Sequence, residues 1–171
     1  MFQAFDASTS GLFAERMRMN TIANNLANAY TTRNQFGEKV PFRRRLAIFE
    51  DGNTKNSDPN LGVTVLDIVD DNADFRIDYK PGDPDAVTFS DIFETDSEGV
   101  PDFGKPKEPY QGMSQESLQE LASREGYVLY PNINAETELV DAMMAARSYE
   151  ANLSAIEISK SIISDSLSII A

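Results

Sequence analysis

The two ends of the chain carry one pattern that its middle lacks. Near the start, Phe5, Leu12, Met19 and Leu26 recur at every seventh position, with Ser8 and Ile22 between them. Near the finish, Leu139, Ala142, Ala146, Tyr149, Leu153, Ile156, Lys160, Ile163, Leu167 and Ile170 step by threes and fours. Such spacing lines residues up along one side of a helix. Two seams at opposite ends predict two long helices that pair with each other. The pairing is antiparallel if the chain between them folds back. The predicted class is α+β: the N- and C-terminal helices form an antiparallel coiled coil, and a small β-rich middle domain is inserted between them. Glu15 and Lys160 interrupt the seams, either as register devices or, by preference, as an exposed edge.

The first helix is expected from about Phe2 to about Ala29. A mid-helix glycine costs roughly 1 kcal/mol relative to alanine, so Gly11 predicts close packing or a bend. Asn28-Ala29-Tyr30-Thr31-Thr32 should end the helix, because Asn tolerates a left-handed cap and Thr favours extended backbone. Asn134 is a good N-cap for the last helix, and Glu136 and Glu138 suit the positive end of its dipole. Continued to the C-terminus, that helix is about 55 Å long.

Strands are expected at Val40–Phe49, Val63–Val69 and Phe75–Tyr79, with a turn across Gly52–Gly62. Gly126–Tyr130 should be extended before Pro131. A short helix is expected around Gln115–Arg124, with Leu118, Leu121 and Ala122 on one side. Residues 86–125 are rich in acid, Pro and Gly, and read as an ordered arm, a lid or a flexible insert. The expected division is a tube-forming N-terminal helix at 1–32, a β-rich domain at 33–130 and a tube-forming C-terminal helix at 131–171.

Composition removes several kinds of chemistry. The 171 residues include no Cys and no His, so a thiolate nucleophile, an imidazole base and a zinc finger are all excluded. The net charge of −13 is concentrated in the middle. There, residues 46–130 hold nineteen Asp and Glu against six Lys and Arg. That balance argues against nucleic acid, which needs a clustered cationic footprint. No phosphate-binding glycine loop or nucleophile elbow is present. Asp67, Asp70, Asp71 and Asp74 lack calcium-loop spacing and read as a solvated turn. No small-molecule substrate, cofactor or metal is expected. Residues 1–10 lack a basic leader pattern, and no stretch approaches the apolar length of a membrane span.

Three clusters are candidates for contacts. Asn24, Asn25 and Asn28 either terminate the first helix or hydrogen-bond a neighbouring subunit. Arg147, Tyr149, Glu150 and Asn152 place interface-prone residue types on the last helix, with Arg147 and Glu150 three apart and able to pair. Arg43-Arg44-Arg45 should satisfy local carboxylates or a neighbour's acidic surface.

Several of these residues also carry a resemblance. Ser10-Gly11-Leu12, Arg16, Met19 and Ala23 through Thr32 (Ala-Asn-Asn-Leu-Ala-Asn-Ala-Tyr-Thr-Thr) resemble the N-terminal signature of bacterial flagellar rod and hook proteins. Tyr130-Pro131-Asn132-Ile133-Asn134, followed by Ala146 through Asn152, resembles the C-terminal signature. Thr32-Arg33, Pro41-Phe42-Arg43-Arg44, Asp78 through Pro84 and Gly126-Tyr127-Val128 are similar to a proximal-rod member. The likeness covers residues 1 to about 85 and about 126 to 171, and the chain departs from the pattern between Ala86 and Glu125.

The resemblance implies a non-enzymatic structural subunit of the proximal rod, part of the drive shaft around the export channel. It implies export without a cleaved signal peptide and assembly in the periplasmic space. Partners would be its own copies, other rod proteins, and components of the basal-body rings and export gate. The expected interface residues are Asn25, Leu26, Asn28, Arg147, Tyr149, Glu150 and Asn152. A hook or distal-rod paralogue is the alternative, and a secreted carboxylate-dependent hydrolase is a more distant one.

Overall fold

The computed structural model describes residues 2–52, 62–96 and 99–170. Helix α1 spans Phe2–Ala27, and helix α4 spans Ala135–Ile170. Between them lie strands β1 (Arg45–Asp51), β2 (Val63–Asp70) and β3 (Arg76–Tyr79) and the one-turn helix α2 (Phe89–Ile92). They are followed by β4 (Phe93–Thr95), β5 (Pro101–Pro106), a 3-10 turn (Glu108–Tyr110), α3 (Gln115–Ser123) and β6 (Tyr127–Tyr130). Most of the turn expected at Gly52–Gly62, residues 53–61, lies outside the described residues. The described chain forms two units. The first takes in α1 to Asn24, β1, β2 to Val69, and α4; the second takes in 25–44 and 70–134.

In the first unit, the long helices run antiparallel. The Arg18 guanidinium lies 3.9 Å from the Asp141 carboxylate. Seven residues earlier on α1, Gly11 lies against Asn152, eleven residues later on α4. A Cβ at position 11 would stand 2.8 Å from the Asn152 amide nitrogen, so Gly11 is there for close approach.

Both seams are met in part, and further covered positions lie one residue earlier. On α4 the covered positions include Glu138, Ala142, Ala145, Ala146, Tyr149, Asn152, Ile156, Ser159, Ile163 and Ser166. Half of the predicted seam is covered (Ala142, Ala146, Tyr149, Ile156, Ile163), but Leu139, Leu153 and Leu167 are exposed. On α1 the deepest residues are Ala14, Thr21, Ile22 and Asn25; of the expected seam Ile22 is buried and Ser8, Leu12 and Met19 are half-buried, while Phe5 and Leu26 are exposed. The reason is steric. Helices that approach closely need small side chains at the contact, and Gly11, Ala14, Ala142 and Ala145 supply them. Leu139, Leu153 and Leu167 are turned outward. Strands β1 and β2 pair as a two-stranded sheet. It is fastened to α1 where the Val63 N–H donates to the Ser10 hydroxyl at 3.1 Å, while that hydroxyl donates to the Ala7 carbonyl.

The second unit has an enclosed core of Phe75, Val87, Ile92, Phe93, Tyr110, Met113, Leu121 and Leu129. Strand β3 pairs antiparallel with β6, Arg76 opposite Tyr130 and Tyr79 opposite Tyr127, and β4 pairs with β5. By strand alternation, Ile77, Leu129 and Tyr127 share the face turned to the core. Helix α3 forms as expected, with Leu121 buried and Leu118 and Ala122 against the core. Its start is capped by Ser114, whose hydroxyl accepts from the Ser117 N–H at 3.3 Å. Of the three readings left open for 86–125, the ordered one holds, and more strongly than as an arm. Six of the eight core residues, Val87, Ile92, Phe93, Tyr110, Met113 and Leu121, come from this segment. The strand expected from Val40 begins only at Arg45. Arg43 instead stacks 4.5 Å above the Phe75 ring, and Arg44 sits 3.8 Å from Asp71. The arginine cluster is therefore satisfied locally at these two positions.

Candidate functional site

The surface most out of keeping with a solitary chain lies on the outer sides of α4. Val140, Met144, Ile158 and Ile162 are 49–59% exposed. At 100° per residue they fall, with Ala151 and Ala155, in one stripe about a third of a turn around α4 from the covered seam. Leu139, Met143 and Leu153 form a flank between the two. The β1–β2 sheet adds a further apolar surface, since Leu46, Ile48, Phe49, Val63, Leu66 and Ile68 are all exposed. A two-stranded sheet alone in water is marginal, so this pair gains most from a covering neighbour. Contiguous apolar area of this kind marks an interaction surface.

The candidate contact residues do not form one cluster. Asn25 is buried and engaged, so its amide is committed within the chain. Asn28 is half-buried; its carbonyl accepts from the Thr31 N–H at 3.2 Å and from the Thr31 hydroxyl at 2.9 Å. Tyr149 and Asn152 lie on the covered seam. Leu26, Arg147 and Glu150 are exposed. No hydrogen bond or ion pair joins Arg147 to Glu150. Glu138 was missed as an inward residue, although it is only 1% exposed and has a partner within the chain. Its signal was present: it lies seven residues before Ala145 on the small-residue seam.

The second unit has a cavity of about 370 Å³ lined by Arg33, Glu38, Lys39, Asp91, Lys107 and Tyr110, among others. Its polar groups are already spent on the fold. Arg33 binds Asp85 at 2.6 Å, Lys39 binds Asp91 at 3.1 Å, and Lys107 donates to the Ser90 carbonyl at 2.6 Å. Tyr110 donates to the Lys39 carbonyl at 2.7 Å, and burial pushes its phenol far above the ordinary tyrosine range, so it is no base. Asp71 and Asp74 likewise serve local structure. Asp71 accepts from the Ala73 N–H, and Asp74 accepts from the Ser114 N–H and the Ser117 hydroxyl. Among the described residues no three His, Cys, Asp or Glu gather as metal ligands, and no helix is long and apolar enough to cross a membrane.

Both ends of the chain match known families. Residues 5–34 match the family described as flagella basal body rod protein, and residues 124–169 match the flagellar basal body rod FlgEFG protein C-terminal family. Several whole-length relatives are named flagellar basal-body rod protein FlgC. One from Bacillus subtilis is 30% identical, the alignment covering 98% of this chain and 97% of the relative. One from Aquifex aeolicus is 31% identical, covering 95% and 91%. One from Borreliella burgdorferi is 29% identical, covering 99% and 97%.

Proposed function

The chain belongs to the flagellar basal-body rod protein FlgC family and is a structural rod subunit, and on that premise we propose how it builds the rod. Helices α1 and α4 pack as an antiparallel coiled coil. The alternating four- and three-residue spacing of the covered positions supports that packing, as do the Arg18–Asp141 and Gly11–Asn152 contacts. Segments 1–32 and 131–171 form the tube around the export channel, and 33–130 faces outward as the β-rich domain. Its acidic stretch, 86–125, is then a built part of that outer domain.

The observation that carries this reading is the exposed apolar stripe of Val140, Met144, Ile158 and Ile162. A helical pair alone leaves it wet. Neighbouring subunits in a tube would cover it, and torque would pass through many packed helices in parallel. Of the expected interface residues, Leu26, Arg147 and Glu150 reach neighbours directly. Asn25, Asn28, Tyr149 and Asn152 act by setting the shape of the helical pair and its exit turn. The rod lies in the periplasmic space, the chain reaches it without a cleaved signal peptide, and rings and export gate are its outer and proximal neighbours.

Met144→Asp and Ile158→Asp put charge on the stripe while leaving the covered seam intact. Both variants should be exported and folded, yet be missing from basal bodies, with loss of motility. Rods of normal length containing either variant would sink the proposal.

A further inference from the structure

The second unit holds five arginines, and two of them are unlike the rest. Arg33 donates to Asp85 at 2.6 Å, to the Pro84 carbonyl at 3.0 Å and to the Gly37 carbonyl at 3.1 Å. Arg43 donates to the Pro109 carbonyl at 3.1 Å, and Arg44 sits 3.8 Å from Asp71. Arg76 and Arg124 are exposed, and among the described residues neither guanidinium has a hydrogen bond or an ion pair. Each lies instead over a tyrosine ring. The Arg76 guanidinium is 5.0 Å from the ring centre of Tyr130, its cross-strand neighbour, and that of Arg124 is 4.7 Å from the ring centre of Tyr79.

A ring attracts the charge of a guanidinium and leaves its N–H fork available. The rings are themselves held in place. The Lys80 ammonium donates to the Tyr130 hydroxyl at 2.9 Å, and Tyr79 packs edge to face with Tyr127 at 5.3 Å. Two forks placed in advance, with their donors uncommitted, suit carboxylates, which a guanidinium binds through two parallel hydrogen bonds.

The matching groups are on α3. Glu116 and Glu120 are exposed, one helical turn apart, and among the described residues neither carboxylate has a hydrogen bond or an ion pair. Like charges at this spacing repel. Arg124 follows Glu120 by four residues, the spacing at which a helix pairs opposite charges, but that pairing is not made. The backbone at Arg124 has left the helix (φ −157°, ψ 144°), and its side chain is over Tyr79. Among the described residues, each set lacks the counter-charge that the other carries. Acids on a helix surface and cations on a strand pair make a heterologous contact between copies. Repeated, such a contact extends an array rather than closing a dimer. We propose that Arg76 and Arg124 of one copy receive the Glu116 and Glu120 carboxylates of a second copy. This rests on the rod-subunit reading. Charge names the occupant: two forks need two carboxylates on one surface, and α3 of this chain presents such a pair.

The test uses isolated basal bodies carrying Arg124→Lys, treated with a zero-length carbodiimide, which joins an amine to a carboxylate it touches. Dimers of the chain should form, with the bond between position 124 of one copy and Glu116 or Glu120 of the other. A bond from position 124 to a different protein, a dimer joined at other acids, or no product from basal bodies that contain the chain would overturn the contact and leave the rod reading standing. Absence of the unsubstituted chain from basal bodies would overturn both. In parallel, reversing both cations (Arg76→Glu with Arg124→Glu) should lower rod yield by about tenfold or more, because like charges then face each other. Adding Glu116→Arg and Glu120→Arg to that chain should restore most of the yield. Urea unfolding of each isolated chain should keep the parent's midpoint, since all four positions are exposed. Unchanged yield after the reversal, or no restoration in a fourfold variant that keeps the midpoint, would overturn the proposal.

Discussion

The two units of this chain solve the same problem in opposite ways. The second closes a core of large apolar residues inside itself: Ile92, Phe93, Leu121, Val128 and Leu129 are essentially inaccessible to water, although Tyr30, Phe36 and Phe103 stay exposed. The first buries mostly small and polar residues, Ala14, Thr21, Glu138 and Ala145 beside Ile22, and leaves Leu139, Met143, Leu153 and Leu167 outside. Size explains neither choice, since both units have enough large apolar side chains for a core. The difference lies in where partners come from. A unit that folds for itself spends its large residues inward, whereas a unit that folds to be covered keeps them outward and uses small residues to bring its own helices close.

Matched truncations give the largest contrast. Phe93→Ala should destabilise the isolated chain by about 3–5 kcal/mol, the usual cost of removing a buried aromatic ring. Leu153→Ala removes a comparable apolar group from an exposed position and should cost within about 0.5 kcal/mol. Urea unfolding of the two variants measures both. Equal losses would mean that Leu153 is covered within the chain, and the contrast between the units would fail.

A smaller effect tests whether close approach governs the first unit. Gly11→Val would drive two methyl groups into the Asn152 side chain, already 2.8 Å from where a Cβ would sit. Forcing extra bulk into a tight contact typically costs about 1–3 kcal/mol. The loss should appear as lower helix content on heating, with the tyrosine signals of the second unit unchanged. If Gly11→Val were neutral, the helices could separate freely, and the small-residue seam would be no more than coincidence.

How much of this was legible depends on how local the cause is. The terminal helices, α3 with its Leu118–Leu121–Ala122 face, and strands β2 and β3 follow from spacing within a few residues, and spacing survives in any sequence. The phase of the seams did not, because periodicity finds a stripe without saying which neighbour covers it. Reading the largest residues as the inner face assumes one partner per helix. Here the inner face mixes Gly11, Ala145 and the buried Glu138 with Ile22, Tyr149 and Ile156, while Leu139, Leu153 and Leu167 mark the outer one. The core contributed by 86–125 was hidden for a different reason. Ile92, Phe93, Tyr110, Met113 and Leu121 are spaced without period among acids and prolines, and contacts far apart in sequence bring them together. Segment-wide composition averages that signal away. The candidate contact residues divide in the same manner: Arg147 and Glu150 are exposed as a polar helix face should be, while Asn25 is drawn inward by a helix end the sequence could place but not orient.

The smallest effect is electrostatic and belongs to the second unit. Three of its carboxylates sit below the ordinary aspartate range. The Thr32 hydroxyl and then the Arg33 guanidinium hold Asp85 there. Burial pushes Asp74 up, but the Ser114 and Ser117 donors outweigh it together with Arg43. Burial pushes Asp91 up as well, and the Thr88 and Lys39 donors outweigh it. A carboxylate with a lowered folded-state pKa stabilises the fold above its unfolded value of about 3.9, and that contribution is lost as pH falls through the folded value. These groups are largely solvent-facing, so each contribution is screened and modest. Between pH 7 and about pH 5 the second unit should hold its full stability. Below about pH 4 its tyrosine signals should weaken, and Asp85→Asn should flatten that acid limb while lowering stability at neutral pH. Stability of the Asp85→Asn chain equal to the parent's at pH 7 would show that the Arg33–Asp85 tie is idle. The loop at 33–38 would then lose one of its anchors, and the second unit's claim to present a fixed surface to its neighbours would weaken with it.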